Sequence, residues 1–204
     1  QQIGGLALAD LADEAATRAA LEPLVAQQPI QVLVNNAGIH DDAVFPGMSS
    51  AQWHRVIDVS LHGFFHVTQP LTLPMTRTRW GRIITITSIA GLTGNRGQTN
   101  YAAAKSGLHA ASKSLALELA SSGVTVNAVC PGYTDTDILR ESVANVVAKT
   151  GRTPEQALAE FAASNPQRRI VQPAQVADTV AWLMGEGAAA ITGQCPSVSG
   201  GEVM

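Results

Sequence analysis

The stretch Gly81-Arg82-Ile83-Ile84-Thr85-Ile86-Thr87-Ser88 decides how the rest of this 204-residue chain is read. From Ile83 to Thr87 every residue is β-branched, and crowding at Cβ favours extended backbone over helix. A nearly continuous apolar run of this length suits a strand covered on both faces. Working outward, Ile30 to Val34 is a shorter run stopped by Asn35-Asn36-Ala37-Gly38. Val124 to Val129 closes at Pro131-Gly132, and Ile191 to Val198 closes at Gly200-Gly201. Runs that end in turn chemistry and alternate with Ala-rich stretches predict βαβ units, hence an α/β domain with a parallel sheet.

The intervening helices are expected at Ser50 to Thr78, Asn100 to Ser122, Thr153 to Ala163 and Ala174 to Met184. Thr153, with Pro154 at the first helical position and Gln156 at the third, has the pattern of a capping box. Pro70 and Pro74 predict a kink or break in the first stretch, because proline removes a donor and clashes with the preceding turn. Residues 135–165, helical in part, leave the carboxyl side of the third strand. Ligands bind at that side of parallel sheets, so this excursion is expected to be a lid or substrate loop.

Composition narrows the classes. With 46% hydrophobic and 14% charged residues, 13 basic against 16 acidic side chains and a net charge of −3, the chain is expected to form one globular domain. A pI near 5.9 with no Lys/Arg run argues against nucleic acid or an anionic membrane as partner. Cys130 and Cys195 lack C-x-x-C spacing, which suggests neither a disulfide framework nor zinc, and a reducing cytoplasm is the expected compartment. No apolar stretch is long enough for a spanning helix, and no basic-then-apolar leader is visible. His62 and His66 have H-x-x-x-H spacing but neither a protease glutamate nor an evident third ligand, so no metal is expected. Cys130 is read as a small buried hydrophobe, and His40 as a surface histidine near the cleft rim.

The sharpest chemical constellation is Ser88 with Tyr101 and Lys105. The last two are four apart in Asn100-Tyr101-Ala102-Ala103-Ala104-Lys105, so both project from one helix face. A free tyrosine titrates near pH 10, and a nearby ammonium lowers that value toward one useful for acid-base catalysis. Ser88, at the end of the strongest strand, is placed to hold a carbonyl oxygen beside the phenol. The three suit protonation of a ketone oxygen or deprotonation of an alcohol. Ser88 as a hydrolase nucleophile is disfavoured, since its setting is Thr87-Ser88-Ile89-Ala90-Gly91 rather than G-x-S-x-G.

Taken with Asn35-Asn36-Ala37-Gly38 and Pro131-Gly132, these segments resemble the short-chain dehydrogenase/reductase family over essentially the whole chain. The segment from Gly94 to Gly107, with Ile191-Thr192-Gly193-Gln194 and Ser199-Gly200-Gly201, is similar to the 3-oxoacyl-(acyl-carrier-protein) reductase branch. The resemblance implies a doubly wound parallel sheet and a cofactor that is NADP or NAD, NADPH being slightly favoured. It implies Tyr101 as acid/base, Lys105 as holder of the nicotinamide ribose, and Ser88 as orienter of the substrate carbonyl. Asn35, Ala37 and Gly38 would pass beneath the adenosine ribose. Pro131, Gly132 and Thr134 would line the nicotinamide, with Thr136 near its carboxamide and the phosphates. Asp10-Leu11 resembles the strand-end pair that contacts adenine.

Two departures stand out. Ser60 occupies the position where the family has an asparagine that supports a proton relay from lysine, so Ser60 enters as a further catalytic candidate. The glycine-rich pyrophosphate turn is missing, and Gly4-Gly5 does not match it. If Asp10 ends a third strand, the first β-α-β-α portion, on the order of 45 residues, is expected to precede this chain. Residues 1–204 are then one NAD(P)-binding catalytic domain, with 135–165 as its lid.

The expected activity is hydride transfer between NAD(P)(H) and a carbonyl or secondary alcohol, foremost reduction of a 3-oxoacyl thioester. Alternatives are a dehydrogenase of another secondary alcohol (hydroxy acid, sugar or steroid) and a non-catalytic cofactor-binding sensor. The small-residue surface of Ala102, Ala103, Ala110 and Ala111 is expected to pack on another copy, giving a homodimer or tetramer.

Overall fold

In the computed structural model, which describes residues 7–204, four parallel strands lie in sequential order. They are β1 (Val32–Asn35), β2 (Gly81–Ile86), β3 (Val124–Pro131) and β4 (Ser197–Val198). The register sets Leu33 beside Ile83, and Ile83 beside Val126. Alternation along the strands then sends side chains to two faces.

On one face Leu33, Ile83, Val124 and Val126 pack against Leu71 and Met75 of α3 (Gly63–Arg77) and Ala116 and Leu119 of α5 (Thr99–Leu119). On the other, Ile84 and Val129 pack against Val180 and Leu183 of the last long helix, Pro173–Met184. Helices on both faces of a parallel sheet make the doubly wound α/β fold expected from the sequence.

The fourth strand is shorter than its sequence suggests. Backbone bonds join Gly193 to Val126, Ala128 to Gln194, Cys130 to Pro196 and Gly132 to Val198. Pro196 has no N–H to return to β3, so the ladder is one-sided there and only Ser197–Val198 completes it.

The long stretch after Ser49 is helical to Arg77 but does not break at its prolines. Both Pro70 and Pro74 lie inside α3, and the irregularity is instead a π turn at Asp58–His62, between α2 (Ser50–Ile57) and α3. Each proline withholds one donor, while the hydroxyls of Thr72 and Thr76 donate to the Thr68 and Leu73 carbonyls within the same turns.

A helix unforeseen from sequence, α1 (Glu14–Gln27), is capped by Asp13, whose carboxylate accepts the Ala16 N–H at 3.0 Å. Thr17 is its one buried residue, and Ala20, Leu21, Leu24 and Val25 continue that face half-buried at helical spacing, with Val25 packed on the core. Residues 7–10 are outside the sheet; Asp10 is exposed and its carboxylate caps the Ala12 N–H, so it does not end a strand. No β-strand lies on the free side of β1 among the described residues to pair such a segment. Gly4-Gly5 lies outside the described residues.

A short helix, α4 (Ala90–Thr93), precedes α5. The 135–165 excursion holds α6 (Asp137–Thr150) and α7 (Pro154–Ala163), the latter with the capping box expected of Thr153 and Gln156. At its neck, Val171 donates to the Tyr133 carbonyl and accepts from the Asp135 N–H, both at 2.9 Å. With these in place, the Pro173–Met184 helix is α8. Among the described residues no helix is long and apolar enough to cross a membrane.

Candidate active site

The carboxyl ends of the strands open into a cavity of about 800 Å³. Ser88, Tyr101, Lys105, Gly38, Pro131, Gly132, Thr134 and Thr136 all border it. Ser88 leaves β2 and turns into α4, its Oγ accepting the Ala90 N–H at 3.1 Å. Tyr101 and Lys105 face the cavity from the first turns of α5, as their four-residue spacing requires.

Lys105 is 3% exposed, and its Nζ donates to the Ile86 carbonyl at 2.9 Å and lies 5.5 Å from the centre of the Tyr101 ring. Burial lowers its pKa to about 8, so it is still cationic at neutral pH. An ammonium has three protons, and one bond to Ile86 leaves donors for whatever occupies the cavity.

Tyr101 does not follow the simple expectation of a lysine-lowered phenol. Burial pushes its pKa above the usual value, the nearby Ser88 hydroxyl opposes this, and the carboxylate of Asp42 adds to the rise. The phenol is therefore protonated at neutral pH, the form of a proton donor.

Packing around the pair explains its precision. A Cβ on Gly91 would lie 2.8 Å from the Lys105 carbonyl carbon and 2.9 Å from the Ser106 nitrogen, so only glycine lets α4 sit this close to α5. A Cβ on Gly38 would lie 3.1 Å from Lys105 Nζ, which keeps the Asn35-Gly38 turn against the ammonium.

The remaining residues singled out by sequence divide into two groups. Leu11, Asn35, Ala37 and Ser60 border a second, smaller cavity of about 100 Å³ behind the Gly38 turn rather than the main one. Asn35 donates to Thr68 Oγ1 at 3.0 Å, and it is Asn36 that faces the main cavity. Ser60 sits in the π turn, 2% exposed, its hydroxyl buried with no hydrogen-bond partner. Asp10 borders neither cavity.

Cys130 is fully buried, and its sulfur contacts His109 Nε2 at 3.2 Å, with Thr87 Oγ1 2.7 Å from the same nitrogen. His62 pairs with Asp58 at 2.9 Å and His66 Nδ1 lies 2.8 Å from the Leu11 carbonyl.

Sequence reasoning missed Asn100, which is wholly buried beside Tyr101. Its Nδ2 donates to the carbonyls of Asp41 (3.0 Å) and Gln52 (3.1 Å), while its Oδ1 accepts the Tyr101 N–H (2.8 Å). It also missed Tyr133, stacked edge-on with Phe161 of α7 and hydrogen bonded to Asn95, on the cavity wall. An Asn directly before a helical Tyr is the one local cue to the first, but its burial and distant partners are not encoded there, and nothing local marks the second.

The described residues fit one end of a dinucleotide. A buried ammonium with free donors, a side-chain-free approach at Gly38 and the hydroxyls of Thr134 and Thr136 suit a ribose and carboxamide. No helix opened by a glycine-rich turn of the pyrophosphate type faces the cavity among them.

Comparison with known proteins follows the same line. A family model described as "Enoyl-(Acyl carrier protein) reductase" matches residues 3–202. The 3-oxoacyl-(acyl-carrier-protein) reductase FabG of Aggregatibacter actinomycetemcomitans is 44% identical over 83% of the chain and 65% of its own length. The acetoacetyl-CoA reductase of an Acinetobacter species is 41% identical over 94% of the chain and 73% of its own length. The FabG reductase of Pseudomonas aeruginosa is 38% identical over 98% of the chain and 76% of its own length. The chain thus spans roughly two thirds to three quarters of these relatives.

Proposed function

The chain belongs to the short-chain dehydrogenase/reductase family, and on that premise we propose that it carries the catalytic portion of an NAD(P)-dependent reductase of 3-oxoacyl thioesters. The observation that carries the reading is the convergence of Ser88, Tyr101 and Lys105 on one wall of the cavity at the carboxyl end of the sheet. The thioester preference is supported by relatives named for 3-oxoacyl and acetoacetyl thioesters. An apolar wall of Ile138, Leu139, Val176, Val180 and Met184 suits an acyl chain.

In this reading the substrate ketone lies between the Ser88 hydroxyl and the Tyr101 phenol. Ser88 donates to the carbonyl oxygen and fixes it, and Tyr101 gives that oxygen its proton as negative charge builds there. A phenol kept protonated by burial suits this reductive direction. Lys105, cationic and bound to the Ile86 carbonyl, holds ribose hydroxyls and stabilises the phenolate left behind. Gly38, Pro131, Gly132, Thr134 and Thr136 form the floor on which the nicotinamide end rests. The bound cofactor, NADPH before NADH, supplies the hydride. Asp10, Leu11, Asn35 and Ala37 enter as contacts to its adenosine end, and Ser60 as a weaker participant through the smaller cavity.

We also propose a homo-oligomer. Ala103 and Ala110 of α5 are exposed, as is Leu117 two turns further along the same face, and Leu73 is exposed on α3.

The test follows NADPH and NADH absorbance with acetoacetyl-CoA, using the protein with its complete reading frame. Consumption that depends on the thioester supports the reading, and no consumption with either cofactor removes it.

A further inference from the structure

His40 follows the Asn35-Gly38 turn and borders the large cavity. Its side chain is only 12% exposed, and both ring nitrogens face carboxylates. Nδ1 lies 3.5 Å from Asp42 Oδ1 and Nε2 lies 3.4 Å from Glu141 Oε2. A neutral imidazole has one N–H, so its other nitrogen would turn a lone pair toward a carboxylate. The imidazolium alone donates in both directions.

The two carboxylates belong to different parts of the molecule. Asp42 is in the loop before α2, and its Oδ2 accepts from Gln98 at 2.9 Å, next to the start of α5. Glu141 is on α6, which also supplies Ile138, Leu139 and Ser142 to the cavity wall. The neighbouring Arg140 is spent within the excursion, on Asp135 and Asp137. Among the described residues, His40 with Glu141 is the sole ion pair that joins the 135–165 excursion to the rest of the chain.

We propose that His40 is a positioning residue, whose imidazolium ties α6 through Glu141 to the Asp42 loop and so holds the α6 wall over the cavity. Neither ring nitrogen makes a hydrogen bond, but the carboxylate of Asp42 favours the cation most, burial opposes it, and Glu141 adds to it, leaving the pKa above the ordinary histidine value. Other titratable groups around the same cavity are Asp137 of α6, Tyr101 and Lys105 of α5, and Tyr133 and Glu202. Because the folded pKa is raised, the tether is complete at pH below the ordinary histidine value and is lost as pH rises through the raised one. Glu141 is 69% exposed, so the tie shifts the docking equilibrium of α6 by at most about fivefold.

The kinetic part of this proposal rests on the thioester-reductase reading; the docking part does not. Hydrogen exchange of the α6 amides, corrected for intrinsic rates, tests the docking. Between about pH 6 and about pH 8 protection of α6 should fall by about two- to fivefold. Glu141→Gln, at an exposed position, should show the lower protection at both. His40→Lys, which keeps a cation, should hold the higher protection at both. In turnover, Glu141→Gln should raise KM for the thioester by about two- to fivefold with kcat unchanged and flatten the pH dependence of KM. Equal α6 protection in the wild type and Glu141→Gln at the lower pH overturns the proposal. The expected exchange pattern without turnover of any thioester leaves the tether standing and overturns the reductase reading instead.

Discussion

If Tyr101 gives the proton, Tyr101→Phe removes one oxygen and should lower kcat by about 10²- to 10⁴-fold while NADPH still binds, as fluorescence titration would show. An unchanged signal output in that variant would favour a cofactor sensor. Lys105 makes a second prediction, with a definite sign. Its folded pKa is near 8 against 10.5 unfolded, so between those values the unfolded chain binds the extra proton and stability rises with pH. Denaturant titrations of the wild type and Lys105→Met should diverge across that window, the wild type gaining relative to the variant as pH rises. Flat curves for the difference would contradict a desolvated ammonium. Ser88, Tyr101 and Lys105 were legible because helical period and a strand end suffice to bring them together. Asn100 and His40 were not, since Asn100 bonds to a carbonyl 59 positions away and His40 reaches a carboxylate on another helix.

The elements that frame these residues meet at contacts too tight for change. Gly91→Ala should force α4 off α5, costing about 1–3 kcal/mol in thermal or chemical unfolding and lowering kcat, because the displaced backbone is that of Lys105 and Ser106. Asn100→Ala should cost about 3 kcal/mol, since two carbonyls and the Tyr101 N–H lose their partner in a buried site. Strands β1, β2 and β3 could be read from β-branched runs within a residue or two of their observed ends. The break in the 50–77 helix could not, because proline signals an early end while a π turn leaves no residue signature. The Pro196 gap in β4 was readable in principle, had the missing N–H been counted against its ladder. Helix α1 was readable in principle, since Thr17, Ala20, Leu21, Leu24 and Val25 recur at helical spacing, but a polar residue opens that face and Pro23 lies inside it.

At the scale of the whole molecule, two apolar surfaces remain open. Val32 and Val34 of the edge strand β1 are 37% and 40% exposed on the face that α8 covers elsewhere, and Leu117 of α5 is 84% exposed. Leu117→Arg should shift the sedimentation coefficient toward a smaller species if α5 is an assembly face, and leave it unmoved if the chain is monomeric. The doubly wound plan was visible in the order of strand and helix signals, whereas which faces stay uncovered depends on packing that no local pattern encodes. Helix α5 joins these scales. Asn100, Ala104, Lys105, Leu108, His109, Ser112, Ala116 and Leu119 are its buried residues, so one continuous stripe both carries Lys105, one turn from Tyr101, and seats the rod on the sheet. The rod works as a ruler laid across the sheet: a bulky residue at Ala116 would slide its far end, and the phenol oxygen would travel with it. Changes in the distant core should therefore be heard at the site, as turnover lost beyond what the drop in stability accounts for.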